Sequence, residues 1–183
     1  MRRQVLFIQG AGRGTYAEWD NKLVDSLVKA LGRDYEVRYP RMPNEADPSY
    51  LIWKQALEKE FAGLHDGAVL IGHSVGATVL INAMAADPPH FKPGGIFLVS
   101  GPFIGKGGWP SDDIEPKDEL GADLPDGVPI HLYHGSDDEV VPIAHVELYA
   151  RAIPQAIIRR LEGRDHQLND DLKEVAEDIT SLG

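Results

Sequence analysis

Residues 69–78 read VLIGHSVGAT, and the interpretation of the whole chain depends on this stretch. An apolar run typical of a buried strand enters a turn in which Gly72 and Gly76 flank Ser74. The pattern Gly-x-Ser-x-Gly predicts a sharp strand-to-helix turn that exposes a nucleophilic serine hydroxyl, with glycine where backbone segments crowd together. The alternative is an ordinary glycine-rich turn in which Ser74 has no catalytic role. Residues elsewhere in the chain are needed to distinguish the two.

Six runs have the length and apolar character of strands, and they alternate with helical patterns. The strands are predicted over residues 4–9, 35–40, 68–72, 95–100, 129–135 and, as a more polar edge strand, 156–163. The helices are predicted over residues 18–31, 50–64, 74–86, 143–152 and 169–182. This alternation predicts a three-layer α/β fold, with a short, mostly parallel, doubly wound sheet of about six strands. Trp19 is predicted to anchor the first helix in the core.

Composition restricts the class of protein. The 183 residues fit a single domain, 1–183, and 43% hydrophobic with 26% charged residues is ordinary for a soluble globular chain. A net charge of -11 argues against nucleic acid or an anionic membrane as partner. The absence of cysteine excludes disulfides and thiolate catalysis. With no apolar stretch long enough for a signal peptide or a membrane span, we predict a cytoplasmic protein.

One segment, residues 101–127, interrupts the alternation of strands and helices. It is rich in glycine, proline and acidic residues, and a structureless loop of this length inside a small domain usually has a function. We expect a lid-like excursion over the carboxyl edge of the sheet, where ligands bind in open parallel sheets.

A serine is a weak nucleophile without a base and a group that orients the base. His166 lies between the last predicted strand and the last helix, which places it at the same sheet edge as Ser74. The loop HGSDDEVVP, after the preceding strand, supplies Asp137 and Asp138. Either aspartate could orient the imidazole, and the residues alone do not separate them.

Taken in order, the segments GHSVGA, HGSDDEVVP and RDHQL resemble an α/β-hydrolase. The short chain is similar to the small serine hydrolases typified by retinoblastoma-binding protein 9 and YdeN. The resemblance implies that Ser74 is the nucleophile and His166 the general base. It favours Asp138 as the acid because Glu-Val-Val-Pro follows it, with Asp137 in reserve and Asp165 less favoured.

The resemblance also implies an oxyanion hole and an activity. The backbone N–H groups of Val75 and Ala11 are expected to hold the oxyanion, with Gly12 as the alternative to Ala11. The expected reaction is hydrolysis of a carboxyl ester through an acyl-enzyme, with thioesters and small amides as alternatives. No cofactor or metal is expected, and the partner is a small-molecule acyl substrate. Three aromatic residues are candidates for the substrate pocket: Tyr16, Phe103 and Trp109.

The sequence also offers three other interpretations. Gly10 and Gly12 follow a strand as in a dinucleotide-binding loop, but the third glycine and the acidic residue of that pattern are misplaced. His131 and His134 are three residues apart on a strand, which puts them on opposite faces and disfavours a metal pair. A non-enzymatic interaction module, with residues 101–127 as its contact surface, is the alternative from a different functional class.

Overall fold

The computed structural model describes residues 2–183, and a single sheet forms the centre of that part of the chain. Its strands are β1 (Arg3–Ile8), β2 (Tyr35–Arg38), β3 (Val69–His73), β4 (Gly95–Val99), β5 (Ile130–Gly135) and β6 (Ile157–Leu161). All neighbouring strands are parallel, in the order β2-β1-β3-β4-β5-β6. The predicted α/β sheet is therefore confirmed, and β6 is an edge strand as expected.

Helices cover both faces of the sheet, as near-continuous apolar strands require. They are α1 (Asp20–Leu31), α2 (Tyr50–Phe61), α3 (Val75–Ala86), α4 (Ala144–Ala152) and α5 (Lys173–Thr180). Side chains of α1 and α5 share one apolar core with Val5 and Phe7 of β1. Side chains of α2, α3 and α4 share the other core with Leu6 and Ile8. Alternate residues of the same strand therefore face opposite layers. Within residues 2–183, no helix is both long enough and apolar enough to cross a bilayer.

The start of the first helix differs from the prediction. Residues Thr15–Trp19 form a wider π-helical turn, and α1 begins only at Asp20. Trp19 lies four residues before the buried Leu23, but the wider turn rotates it away from the apolar stripe of the helix. Its side chain is 50% exposed, and the ammonium of Lys22 lies 5.4 Å from the ring centroid. The prediction that Trp19 anchors the helix in the core is therefore wrong.

The last helix also starts later than predicted, at Lys173 rather than at residue 169. Leu168, Asn169 and Asp170 all have positive φ angles, between 48° and 57°, which an α-helix does not allow. The long excursion carries some local structure of its own. Ile104 and Trp109 form an isolated β-bridge, and a short 3₁₀ helix follows later in the segment.

Close contact between β3 and α3 defines the turn that carries Ser74. A side chain on Gly72 would place its Cβ 2.5 Å from the Cα of Ala77. A side chain on Gly76 would overlap the backbone carbonyl oxygen of Gln9 at the end of β1. Both flanking glycines are therefore needed for packing, as the motif predicts.

We expect Gly76→Ala to lower the free energy of unfolding by about 1–3 kcal/mol or more, because backbone rather than a flexible side chain must move. Denaturant titration measures the change. Gly63→Ala is the matched control, since its Cβ would meet the end of the flexible Arg38 side chain at 2.9 Å, while its nearest backbone contact, the carbonyl oxygen of Glu60, is an ordinary 3.7 Å away. That control should stay within about 1 kcal/mol of wild type. Equal effects of the two substitutions would contradict this account of the turn.

Candidate active site

Ser74 occupies the turn between β3 and α3, at the carboxyl edge of the sheet. Its backbone has φ 52° and ψ -127°, a conformation that non-glycine residues rarely adopt and that is typical of functional turns. The N–H of Ser74 donates to the carbonyl of Val99 at the end of β4, over 2.8 Å. The neighbouring strand therefore holds the strained turn in place.

The structure brings Ser74, His166 and Asp138 together in one hydrogen-bonded chain. Nε2 of His166 lies 3.0 Å from Oγ of Ser74, and its Nδ1 lies 2.8 Å from Oδ2 of Asp138. With the proton on Nδ1, the imidazole donates to the carboxylate and presents the Nε2 lone pair to the serine hydroxyl. This arrangement can remove a proton from Ser74.

Asp138 is well supplied with hydrogen-bond donors. Its Oδ1 accepts from the N–H groups of Val140 and Val141, and its Oδ2 also lies 3.2 Å from Nε2 of His134. Burial opposes ionisation, but the hydrogen bonds from His134, His166 and Val141 lower the pKa of Asp138 well below its usual range. Asp138 is therefore a carboxylate, and not a carboxylic acid, at any pH at which His166 is neutral.

The other two aspartates near this site point elsewhere. Asp137 is exposed, and its Oδ1 accepts from the hydroxyl of Ser136. Oδ1 of Asp165 accepts from the backbone N–H groups of Gln167 and Asn169, so it holds the turn after the histidine. Only Asp138 of these three contacts the imidazole of His166.

A compact loop fixes the position of His166. Leu168 is fully buried, and its carbonyl accepts from Nη1 of Arg164 over 2.7 Å. The same guanidinium reaches Glu174 at the start of α5, also over 2.7 Å. His166 is thereby held between the last strand and the last helix although its loop has no regular structure.

His166 lies in surroundings that favour its neutral form. Burial lowers its pKa, and the positive charge of nearby His73 lowers it further. The hydrogen bond to Asp138 acts in the opposite direction, but the pKa remains below the ordinary value. A histidine with a lowered pKa is a competent base at neutral pH, because it carries no proton on Nε2.

Two backbone N–H groups beside Ser74 are free to bind an oxyanion. The N–H groups of Val75 and Ala11 have no hydrogen-bond acceptor within residues 2–183. A Cβ on Gly10 would lie 3.0 Å from Cβ of Ser74, so the loop that carries Ala11 lies directly against the serine. The alternative donor, Gly12, already donates to the carbonyl of Glu45 over 2.6 Å. The geometry favours Ala11.

Glu45 organises this loop, and sequence reasoning missed it. The carboxylate is 8% exposed and accepts from Nε2 of Gln9 at 2.8 Å and from the N–H groups of Gly14 and Tyr16, each at 3.1 Å. A carboxylate thus occupies the backbone donors that a dinucleotide phosphate would need in a glycine-rich loop. No signal in the sequence marks Glu45, which follows β2 in an irregular segment.

A small cavity of about 130 Å³ opens beside the serine turn. It is mostly apolar, and its walls include Tyr50, Val75, Val79, Ile104, Trp109 and Ile114. Trp109, predicted as a pocket residue, therefore lines it. The excursion at 101–127 contributes several of these walls.

The other two aromatic candidates do not reach this cavity. Tyr16 stacks on Tyr39 with 4.5 Å between the ring centroids. Phe103 is buried and packs edge-on against Tyr149. A larger concavity, of about 650 Å³, lies at the opposite edge of the sheet, where Arg3 begins β1. Within residues 2–183, no group of three or more His, Asp and Glu side chains is arranged to hold a metal ion.

A second histidine–aspartate pair lies beneath His166, and sequence reasoning missed it too. Nδ1 of His73 lies 2.9 Å from Oδ2 of Asp20, and its Nε2 lies 3.0 Å from the carbonyl oxygen of His166. His73 stands inside the Gly-x-Ser-x-Gly motif, where that position is unspecified. Asp20 gave no signal, because a polar residue near the start of a predicted helix is ordinary.

Comparison with known proteins places this arrangement in context. A family model described as phospholipase/carboxylesterase matches residues 54–179, while no curated protein matches the chain. The esterase RhEst1 from Rhodococcus sp. ECU1013 has a TM-score of 0.74 at 18% identity, covering 100% of this chain and 92% of that one. The ydeN gene product from B. subtilis has a TM-score of 0.70 at 22% identity, covering 98% of each chain.

A YdeN-like hydrolase from Pectobacterium atrosepticum has a TM-score of 0.70 at 15% identity, covering 98% of this chain and 92% of that one. At identities this low, the structural likeness establishes the fold alone. The family match, in contrast, covers more than half of the chain. The resemblance to the small YdeN-type hydrolases is confirmed. The chain belongs to the phospholipase/carboxylesterase family and is an enzyme with the α/β-hydrolase fold.

Proposed function

We propose that the protein hydrolyses carboxyl esters through an acyl-enzyme on Ser74. The observation that carries this proposal is the hydrogen-bonded chain from Oγ of Ser74 through His166 to Asp138. These three side chains lie at the carboxyl edge of the sheet, beside an apolar cavity and the N–H groups of Val75 and Ala11, which have no acceptor within residues 2–183. A nucleophile, a base, an orienting acid, oxyanion donors and a substrate pocket are the parts that acyl transfer requires.

In the first half of the reaction, Oγ of Ser74 attacks the ester carbonyl carbon while Nε2 of His166 takes its proton. The carbonyl π electrons move to the oxygen, and the N–H groups of Val75 and Ala11 stabilise this oxyanion. Asp138 stabilises the imidazolium without taking its proton. When the intermediate collapses, the bond to the alcohol breaks and His166 protonates the departing oxygen.

In the second half, water replaces the alcohol. His166, neutral again, accepts a proton from the water as its oxygen attacks the acyl carbon. The same N–H groups hold the second oxyanion. Collapse breaks the bond to Oγ of Ser74, His166 returns the proton to that oxygen, and the carboxylic acid leaves. Thioesters and small amides fit the same scheme with a different leaving atom.

The cavity beside Val75 indicates the size of the acyl group that the site can hold. Its volume is about 130 Å³. An engineered apolar cavity on the order of 150 Å³ accommodates benzene, so a group of about six carbon atoms fits. Asp113 and Ser111 are polar members of its lining, and the Asp113 carboxylate would repel a second anion. We propose that the substrates are esters with a small, uncharged acyl group.

A fluorophosphonate probe tests whether Ser74 is activated. We expect rapid labelling of wild type at Ser74 and none in Ser74→Ala, because within residues 2–183 no other serine hydroxyl is hydrogen-bonded to an imidazole. Ester turnover should fall about 10⁶-fold in kcat in Ser74→Ala and in His166→Ala. Ser181→Ala, which changes an exposed serine in the turn after α5, is the control and should behave as wild type. Equal labelling of wild type and Ser74→Ala would refute the nucleophile.

The two neighbouring aspartates provide a matched pair of variants. Asp138→Asn should lower kcat roughly 10³–10⁴-fold, because the amide cannot hold the required tautomer of His166 or stabilise its charge. Asp137→Asn should change kcat less than about twofold, since its carboxylate contacts Ser136. Steady-state kinetics on one activated ester separates the two. A larger loss in Asp137→Asn would show that the wrong acid was chosen.

Trp109 tests the position of the acyl group. We expect Trp109→Ala to enlarge the cavity and to shift the kcat/KM optimum, over a series of p-nitrophenyl esters, toward longer acyl chains. Trp19→Ala, which removes an exposed tryptophan outside the cavity, is the control and should leave the optimum unchanged. An unchanged optimum in Trp109→Ala would place the acyl group elsewhere.

A further inference from the structure

We propose that Asp20 and His73 form a buried ion pair that acts on catalysis through His166, holding its loop in place and keeping its imidazole in the neutral, basic form. This inference rests on the proposed function, because it treats His166 as the base. Neither Asp20 nor His73 reaches the reacting atoms, so both are positioning residues.

The hydrogen-bond geometry indicates the protonation state of His73. One ring nitrogen faces a carboxylate oxygen of Asp20 at 2.9 Å, and the other faces the carbonyl oxygen of His166 at 3.0 Å. Both of these groups are acceptors only. A neutral imidazole has one N–H and would leave one nitrogen lone pair against an oxygen lone pair. The imidazolium form satisfies both contacts.

Burial makes the pair depend on its two opposite charges. Asp20 is 0% exposed and His73 is 1% exposed, so neither charge is solvated by water. Oδ2 of Asp20 accepts a second hydrogen bond, from the N–H of Gly10 over 2.7 Å. Burial disfavours the charge on each residue, but the mutual attraction and these hydrogen bonds outweigh it. The pKa of His73 is raised, and that of Asp20 is lowered.

The pair joins three segments of the site. Asp20, at the start of α1, holds Gly10, the residue before the oxyanion donor Ala11. His73 ends β3 and directly precedes Ser74. Its other nitrogen holds the backbone of His166. The base, the nucleophile and the oxyanion loop therefore share one buried connection.

The charge on His73 also acts on the imidazole of His166. The two ring centroids are 4.9 Å apart. At this range a positive charge disfavours a second one. The charged groups that act on His166 are Asp138 from the loop after β5, His73 from β3 and Asp20 from α1. His73 lowers its pKa, while the two aspartates raise it.

Nuclear magnetic resonance tests both parts of the inference. At about pH 7.5, one unit above the ordinary histidine pKa of about 6.5, nitrogen-15 shifts of His73 should show two protonated ring nitrogens. In Asp20→Asn, which keeps the size of the side chain, one of them should lose its proton. An unprotonated ring nitrogen on wild-type His73 at this pH would overturn the proposal.

The second arm measures His166 in His73→Gln. Its Cε1–H titration and the acid limb of kcat/KM should both move to higher pH, and kcat should fall roughly 10–100-fold with little change in KM. His65→Gln, an exposed histidine before β3, is the matched control and should move neither. A purely structural role would lower the fraction of protein that binds probe without moving the titration, and that result would overturn the proposal.

The two arms also separate this inference from the proposed function. The nuclear magnetic resonance readouts need no turnover. If the ion pair and the shift are seen but wild type hydrolyses no ester, the proposed function fails while the electrostatic coupling stands. If esters are hydrolysed but the shift is absent, the inference about Asp20 and His73 fails alone.

Discussion

Helix α3 approaches β3 at Gly72 and the end of β1 at Gly76 so closely that neither glycine, on either side of Ser74, has room for a side chain. The rest of the site depends on this contact. It forces Ser74 into a positive φ, which turns its side chain toward the imidazole of His166. It also places the N–H of Val75, first in its helix, beside Ser74 with no hydrogen-bond acceptor among residues 2–183. The turn from Gly72 to Gly76 therefore determines both the packing of α3 on the sheet and the position of the Ser74 hydroxyl.

Around this turn, buried carboxylates hold irregular backbone in place. Glu45 binds the N–H groups of the loop after β1, Asp138 binds those of the loop after β5, and Asp20 binds Gly10. Each carboxylate is buried and has at least one oxygen paired with two hydrogen-bonding groups, which helps a buried charge to be tolerated. The loops at the carboxyl edge gain from these contacts the rigidity that regular structure gives elsewhere.

The fold and three site residues follow from local patterns. Buried strands show as apolar runs, and Ser74 and the Asp137–Asp138 pair directly follow such runs, whereas His166 follows the more polar edge strand β6. The choice of Asp138 over Asp137 came from the resemblance to the α/β-hydrolases. The prediction for Trp19 was wrong because a π-helical turn breaks the residue spacing on which helical periodicity relies. Asp20 and Glu45 were not predicted because their roles depend on distant backbone, at Gly10 and Gly14, that no local pattern specifies. Tyr16 and Phe103 lie outside the cavity beside Val75, because tertiary packing directs Tyr16 onto Tyr39 and Phe103 onto Tyr149.

The most direct test of the central claim is to observe the acyl-enzyme. Wild-type protein is mixed with an excess of p-nitrophenyl acetate, quenched in acid within milliseconds and mapped by peptide mass spectrometry. We expect one acetyl group on the peptide that contains Ser74, formed at the rate of the p-nitrophenol burst and lost as turnover proceeds. Turnover without any acetylated peptide, or acetylation of another residue at the burst rate, would contradict it.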